Sequence, residues 1–366
     1  MTYNWQQSDW PEFRYNLSSI EDALFALAER TGHASGLLKG LPADTQVEAA
    51  IGMMVVEAIK TSAIEGELLS RNDVISSIRK NLGLETGPPS GDKRAQGAAE
   101  LMIAVRNNFE IPLSDHLLFE WHRMIMAGHR HIVAGQWRTH AESMQVVSGA
   151  LGHERIHFEA PPSAQVPAEM ARFIQWFNDT SPSRTTSIRK AAVRSAIAHL
   201  YFESIHPFED GNGRIGRALS EKTLSQGLGR PVLLSLSRAI EAKRRDYYDA
   251  LKEGQQSNEI TPWITWFVQM ILEAQIQADT QIEFTLKKTR LIDRFRDQLN
   301  DRQLRVLRRM LDEGPDGFEG GMSAKKYMTI TGAPKATATR DLQDLAEKGI
   351  FVPTGGGRST HYQISL

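Results

Sequence analysis

The chain has no cysteine among its 366 residues. That excludes disulfide scaffolds, thiolate zinc sites, iron–sulfur clusters and a cysteine nucleophile, and it fits a reducing compartment. An excess of one charge is also missing: 43 Lys and Arg against 44 Asp and Glu leave a formal net charge of −1. This argues against nucleic-acid binding through bulk electrostatics, although a local basic patch stays compatible. Long apolar runs are absent too. The most apolar stretch, 263–272, is short and carries Thr265 and Gln269, so it cannot span a bilayer and no membrane partner is expected. The first residues are polar and aromatic, without the basic-then-apolar order of a signal peptide, so a soluble, cytoplasmic protein is expected. Internal repeats and low-complexity segments are lacking. What remains, 41% hydrophobic and 24% charged residues, is ordinary globular composition for two to three domains of ~150 residues.

The expected class is mainly α. Helical spacing runs over 18–39 and 44–82, where Val47, Ile51, Met54, Val55, Ala58 and Ile59 share one period. Gly87-Pro88-Pro89-Ser90-Gly91 is the strongest loop signal of the first half. Helices are predicted over 93–108 and 114–128, then 166–179, 187–205, 213–227, 239–254 and 261–289. In the gap between these groups, 144–147 and 155–158 flank Ser148-Gly149-Ala150-Leu151-Gly152 and predict a β-hairpin. The last part reads as three helices, 299–311, 323–331 and 335–348. A hairpin follows around Gly355-Gly356-Gly357, which is the order of a winged helix-turn-helix. The predicted domains are 1–91, 92–289 and 290–366.

The chemistry concentrates in His206-Pro207-Phe208-Glu209-Asp210-Gly211-Asn212-Gly213-Arg214-Ile215-Gly216-Arg217, a tight polar loop between two predicted helices. Gly211 and Gly213 can take positive φ and leave backbone N–H groups uncovered. The following helix N-terminus adds unpaired donors and its positive end, and Arg214 and Arg217 add fixed charge. Asp210 beside bound phosphates is a hard oxygen ligand suited to Mg²⁺. His206 can take a proton near neutral pH. A base, a metal carboxylate, a phosphate nest and two arginines make a phosphoryl- or nucleotidyl-transfer site. The embedded G-x-G-x-x-G is not a dinucleotide fingerprint, because that motif needs a preceding strand. His153-Glu154-Arg155-Ile156-His157 matches H-E-x-x-H, but flanking glycines and prolines predict a strand, which separates the two histidines and argues against zinc.

The string resembles the signature of the Fic family, H-P-F-x-[D/E]-G-N-G-R-x-x-R, at every defined position, with similarity from about Asp92 to Asp279. The resemblance implies a Fic-type helical core with a small β-hairpin flap that moves AMP from ATP to a Ser, Thr or Tyr hydroxyl of a target protein. It implies His206 as the base and Asp210 as the Mg²⁺ ligand. Gly211, Asn212 and Gly213 would cradle phosphates, Arg214 and Arg217 would hold β and γ, and Phe208 would anchor the loop. Thr61-Ser62-Ala63-Ile64-Glu65-Gly66 resembles the family's inhibitory motif, [S/T]-x-x-x-E-[G/N]; Glu65 would pair with Arg217 and deny that cation to the γ-phosphate. The 144–158 hairpin corresponds to the flap that docks the target by strand addition, with Val147 and Ser148 as contacts. Tyr247 and Tyr248 resemble adenine-side tyrosines, with Gln255 where related chains often carry Asn. The first ninety residues, with Trp10-Pro11-Glu12-Phe13, resemble an extra N-terminal domain found with some members.

Within the same fold, Glu65 could instead orient a water to remove AMP. From another class comes a DNA-binding regulator working through 290–366. Residues 291–366 carry 12 Lys and Arg against 10 Asp and Glu, and the third helix sets Asp341, Asp344 and Glu347 against Lys335 and Arg340. That balance favours a protein-binding or dimerising module over nucleic acid; a homodimer is compatible with the sequence.

Overall fold

The computed structural model describes residues 2–86, 90–129, 131–148, 155–315, 317–356 and 359–365. Among them are fourteen α-helices and two two-stranded antiparallel hairpins. In chain order these begin α1 (Glu21–Lys39), α2 (Ala43–Ile64), α3 (Arg71–Asn81), α4 (Lys93–Asn107), α5 (Asp115–Ile125), β1 (Gln145–Ser148) and β2 (Arg155–Glu159). They continue α6 (Val166–Asp179), α7 (Ala191–Ile205), α8 (Asn212–Leu228), α9 (Leu236–Ala242), α10 (Arg244–Gly254), α11 (Thr261–Phe295), α12 (Asp301–Leu311), α13 (Ala324–Thr331), α14 (Lys335–Glu347), β3 (Phe351–Thr354) and β4 (His361–Ile364). Two compact units divide the chain: Met1–His33 with Ala50–Ile276, and Ala34–Ala49 with Gln277–Leu366.

Local chemistry sets the helix starts. Ser70 accepts the Asp73 N–H at 3.4 Å, Asp92 the Arg94 N–H at 2.9 Å and Ser114 the Leu117 N–H at 3.2 Å, each satisfying an N-terminal donor of α3, α4 or α5. The helix expected over 44–82 is two helices, because Gly66 at φ 84 ends the first and Ser70 begins the second. The predicted helix 239–254 is likewise split, with Lys243 between α9 and α10.

The core of the first unit gathers Trp121, Phe173, Phe177, Phe202 and Phe208 around α7 and α8. Every residue of α7 from Ala192 to Ile205 is buried. A helix surrounded on all sides has no solvent face to pattern. The hairpin forms as expected, with Gln145 opposite Glu159 and Val146 opposite Phe158. The N-terminal segment anchors it: the Trp5 indole donates to Glu159 O at 2.8 Å, and Tyr3 meets Phe158 edge-on at 5.0 Å. His157 lies on a strand, the backbone type that argues against a zinc pair; His153 and Glu154 lie outside the described residues, as do 149–152 and 87–89.

The second unit has its own core, including Val306, Leu307, Met310, Tyr327, Leu342, Leu345 and Phe351. Its three helices and hairpin occur in the expected order. Two of the three α14 carboxylates do not form an acidic outer stripe. Asp341 is buried and accepts from Tyr327 Oη at 2.8 Å and Arg302 Nε at 3.0 Å, and Asp344 accepts from Gln303 Nε2 at 2.6 Å and pairs with Lys348. Burial alone would raise the Asp341 carboxyl, but the Arg302 and Tyr327 hydrogen bonds hold it below the ordinary range.

Removing the acceptor strands the buried Tyr327 hydroxyl, so Asp341→Ala should destabilise this unit by roughly 1–3 kcal/mol, read as a lowered urea midpoint. Because the folded carboxyl is depressed, its contribution should be complete above the unfolded pKa of 3.8 and fade as pH falls below it.

Candidate active site

The site is built on the loop between α7 and α8. His206 ends α7 in the left-handed region, φ 50 and ψ 60, while its N–H still bonds Phe202 O at 2.9 Å. Such a turn leaves helix-terminal carbonyls facing inward, and Arg138 satisfies them. Its guanidinium donates to His206 O at 2.8 Å, Ile205 O at 3.3 Å and Ser163 Oγ at 2.9 Å, and its own N–H donates to Pro207 O at 2.9 Å. A cation at a helix C-terminus is also favoured by the dipole. Burial lowers the Arg138 pKa to about 10. Sequence reasoning missed this residue; a lone arginine 68 positions upstream of the histidine it serves carries no motif.

Phe208 is fully buried, stacked on His122 at 4.0 Å and tilted against Trp137 at 4.9 Å. Asn212 clasps the turn, accepting from Phe208 N and donating to Phe208 O, both at 2.9 Å. The Asn212 side chain therefore shapes the cradle, and the group left for a ligand is its backbone. His122 accepts the Gly135 N–H on Nδ1 at 2.8 Å, so Nε2 carries the proton and donates to Asp210 O at 3.2 Å. Desolvation pushes its pKa down to about 4, and the ring is a neutral strut.

Gly211 caps α8 at φ 82, and a Cβ there would come within 2.7 Å of Ile125. Among the described residues no side chain caps this helix, which leaves its first amides as anion donors. Gly213 does not take the positive φ that was expected. It is helical, and glycine is required for another reason: a Cβ would lie 2.4 Å from Glu65 Oε1.

Glu65 does meet Arg217. The Nη2–Oε1 distance is 2.7 Å, and Arg217 also donates to Thr61 Oγ1 at 2.8 Å and Thr61 O at 3.0 Å. Thr61 and Glu65 are one helical turn apart, so both address one guanidinium. The end of α2 explains the rest of the motif. Glu67 N–H bonds Ser62 O at 2.9 Å and Gly66 N–H bonds Ala63 O at 3.0 Å, a Schellman closure with Gly66 at its left-handed position. That closure turns Glu67 onto the other arginine. Glu67 Oε2 is 3.0 Å from Arg214 Nη1, and its Oε1 is 2.8 Å from His129 Nε2. Both signature arginines are thus occupied by one short segment, and neither Glu67 nor His129 was flagged by the sequence. Burial would lower the Arg217 pKa, but the Glu65 charge reverses this and drives it upward. Glu57 holds α2 against α9, accepting from Ser235 Oγ at 2.7 Å and Ser237 N at 3.0 Å.

Asp210 is the exposed carboxylate of the loop, its Oδ1 3.7 Å from Arg214 Nη2. No cluster of three or more His, Asp or Glu suited to a metal occurs among the described residues. Tyr247 is buried and its hydroxyl donates to His199 Nε2 at 2.8 Å, so it is packed into the core, whereas Tyr248 keeps an exposed edge. Gln255 Nε2 donates to Glu203 O at 3.1 Å. Val147 and Ser148 contribute backbone to β1. An open groove of about 550 Å³ lies between the segments leading into β1 and out of β2, lined by Trp137, Thr139, His140, Pro162 and Pro167.

Gly213→Ala and Glu65→Gly should lower the melting temperature by similar amounts, and the double variant should add little to either, because both remove one contact. Additive losses would mean that the two residues act apart. For His122, only the unfolded chain takes a proton between pH 6.5 and about 4. Stability should therefore fall as pH drops through that window, and fall less steeply in His122→Gln.

Residues 112–224 match the Fic/DOC family, and residues 3–84 match a domain of unknown function, DUF4172. The chain is 30% identical over 162 residues to protein adenylyltransferase Fic of Nematostella vectensis, covering 44% of this chain and 33% of that protein. It is 26% identical over 223 residues to protein adenylyltransferase fic-1 of Caenorhabditis briggsae, covering 59% and 39%. The chain therefore spans about a third of the length of these curated relatives. A Fic family protein from Desulfovibrio desulfuricans superposes over 97% of this chain and 98% of that one, with a TM-score of 0.55 at 20% identity. Fic-1 of C. elegans superposes over 72% of each chain with a TM-score of 0.51 at 20% identity. His206, Asp210, Arg214 and Arg217 all lie inside the matched segment, and the chain carries a Fic domain.

Proposed function

We propose that the protein is an adenylyltransferase that moves AMP from ATP to a Ser, Thr or Tyr hydroxyl of a target protein, releasing pyrophosphate. The observation that carries this reading is the start of α8, left without a side-chain cap, carrying Arg214 and Arg217 and preceded in the same loop by His206. The amides of α8 suit an anionic phosphate chain, and His206 suits the proton of an incoming hydroxyl. Mg²⁺ fits the one exposed carboxylate of the loop: Asp210 would hold it together with substrate phosphates, a ligand set usual for this ion, and it would offset charge on the leaving pyrophosphate. The groove beside the hairpin and the free edge of β1 suit an extended target segment.

In this reading the α2 end is an inhibitor. Glu65 on Arg217 and Glu67 on Arg214 occupy both cations that a triphosphate needs, so ATP would bind with its α-phosphate out of line. Transfer requires this segment to withdraw. For residues 290–366 the argument against nucleic acid loses two of its three carboxylates, since Asp341 and Asp344 are neutralised internally. Retention on DNA in rising salt separates a protein-binding from a nucleic-acid-binding role.

Incubation with ATP labelled on the α- or γ-phosphate tests the reaction. Covalent label is expected from the α position only, and none in His206→Ala, which should still bind ATP. Glu65→Gly should raise the rate at least about tenfold, equivalent to ~1.4 kcal/mol of barrier, and Glu65→Gly with Glu67→Gln should raise it further. Label from the γ position would make the protein a kinase.

A further inference from the structure

We propose that Glu203 is the positioning carboxylate of the base: it holds the Nδ1 edge of His206, leaving Nε2 to receive the proton of the target hydroxyl. This rests on the adenylyltransferase reading for its catalytic consequence, though the pairing itself is a property of the folded chain. Glu203 lies in the last turn of α7, three residues before His206, and is 4% exposed. Its Oε2 sits 3.6 Å from His206 Nδ1. That is an ion-pair distance rather than a formed hydrogen bond, and catalytic contacts of this kind often tighten only with substrate bound.

Two features set this pair apart from ordinary packing. His206 Nδ1 and Glu203 Oε1 are both buried, and neither has a hydrogen-bond partner among the described residues. Buried carboxylates are normally satisfied by donors on both oxygens, and an unsatisfied one is strongly unfavourable. Both backbones are also pinned. The Glu203 carbonyl accepts from Gln255, and the His206 carbonyl accepts from Arg138. Room has been kept for the carboxylate: a Cβ on Gly216 would come within 2.5 Å of Glu203 Oε1. Gly216, at an undefined position between the two signature arginines, thus has a packing role beside Glu203.

The charged and titratable groups around the pair are His199 on α7, Arg217 on α8 and Tyr247 on α10, with the Arg138 guanidinium on the His206 carbonyl. Desolvation pushes the Glu203 carboxyl upward, but the nearby His206 ring edge, with His199 and the Arg217 charge, outweighs it and leaves the carboxyl lowered. An ionised carboxylate on Nδ1 selects the tautomer protonated there, as in a nucleophile–histidine–carboxylate triad. During transfer, the target oxygen bonds to Pα as the bond from Pα to the pyrophosphate oxygen breaks. The hydroxyl proton passes to Nε2, and the imidazolium formed is stabilised by Glu203.

The test is an NMR titration of the His206 ring nitrogens in the full chain without nucleotide, alongside the α-label assay. In Glu203→Gln the His206 midpoint should fall by about one pH unit, and transfer should slow roughly tenfold or more with ATP affinity unchanged. The reciprocal experiment protects against misfolding of that variant. In His206→Ala, which alters a loop side chain, the Glu203 carboxyl midpoint should rise by about one unit. A His206 midpoint unmoved by Glu203→Gln, or a Glu203 midpoint unmoved by His206→Ala, overturns the pairing. Because neither titration uses ATP, shifted midpoints without α-label would sink the transferase reading and leave the pair standing.

Discussion

A guanidinium buried to 2% exposure must find acceptors inside the protein, and the arrangement around Arg217 follows from that requirement. Thr61 supplies a hydroxyl and a carbonyl, and Glu65 supplies the charge. A glutamate at a helix C-terminus is unfavourable in the field of its own helix, so Glu65 stays there only because Arg217 compensates it. Each partner makes the other tolerable. Under the proposed function, a triphosphate would compete with Glu65 for Arg217.

The loop between α7 and α8 is held from three directions, each using a different kind of force. Arg138 binds the carbonyls at the end of α7, Asn212 ties Phe208 to the start of α8, and the Phe208 ring is packed against His122 and Trp137. None of these groups is suited to touch a substrate in this geometry. They keep the backbone rigid so that the amides of α8 and the His206 side chain are set before any ligand arrives, which is how preorganised sites lower barriers. The neutral state of His122 belongs to the same design, because a proton on Nδ1 would break its bond from Gly135.

The α2 terminus meets this frame through its two arginines. Its Schellman closure sends Glu65 and Glu67 to different arginines on one face of α8, and Glu57 fastens the helix to the serines at the start of α9. A shift of α2 would therefore release both cations together. Gly213 is the close-approach point that lets this happen: any side chain there would occupy the space of the Glu65 carboxylate.

Much of this was legible in the residue order. The mainly helical class, the hairpin and the loop with His206, Asp210, Arg214 and Arg217 rest on short-range patterns, in which neighbours along the chain remain neighbours in space. The pairing of Glu65 with Arg217, 152 residues apart, was expected only from the resemblance of 61–66 to a family motif. Periodicity, glycine spacing and helix-terminal chemistry are local, so the sequence alone determined them. The tertiary structure decided what depends on distance. Arg138, His122, Glu67, His129 and Glu203 carry no motif, because their meaning comes from partners many residues away or from burial. The same cause explains Gly213, read as a turn residue and found in a helix against Glu65, and Asp341, read as an acidic surface group and found inside, bonded to Tyr327 and Arg302. A side chain's charge is written in the sequence, but whether that charge faces water, a partner or a gap is set by the packing of the whole chain.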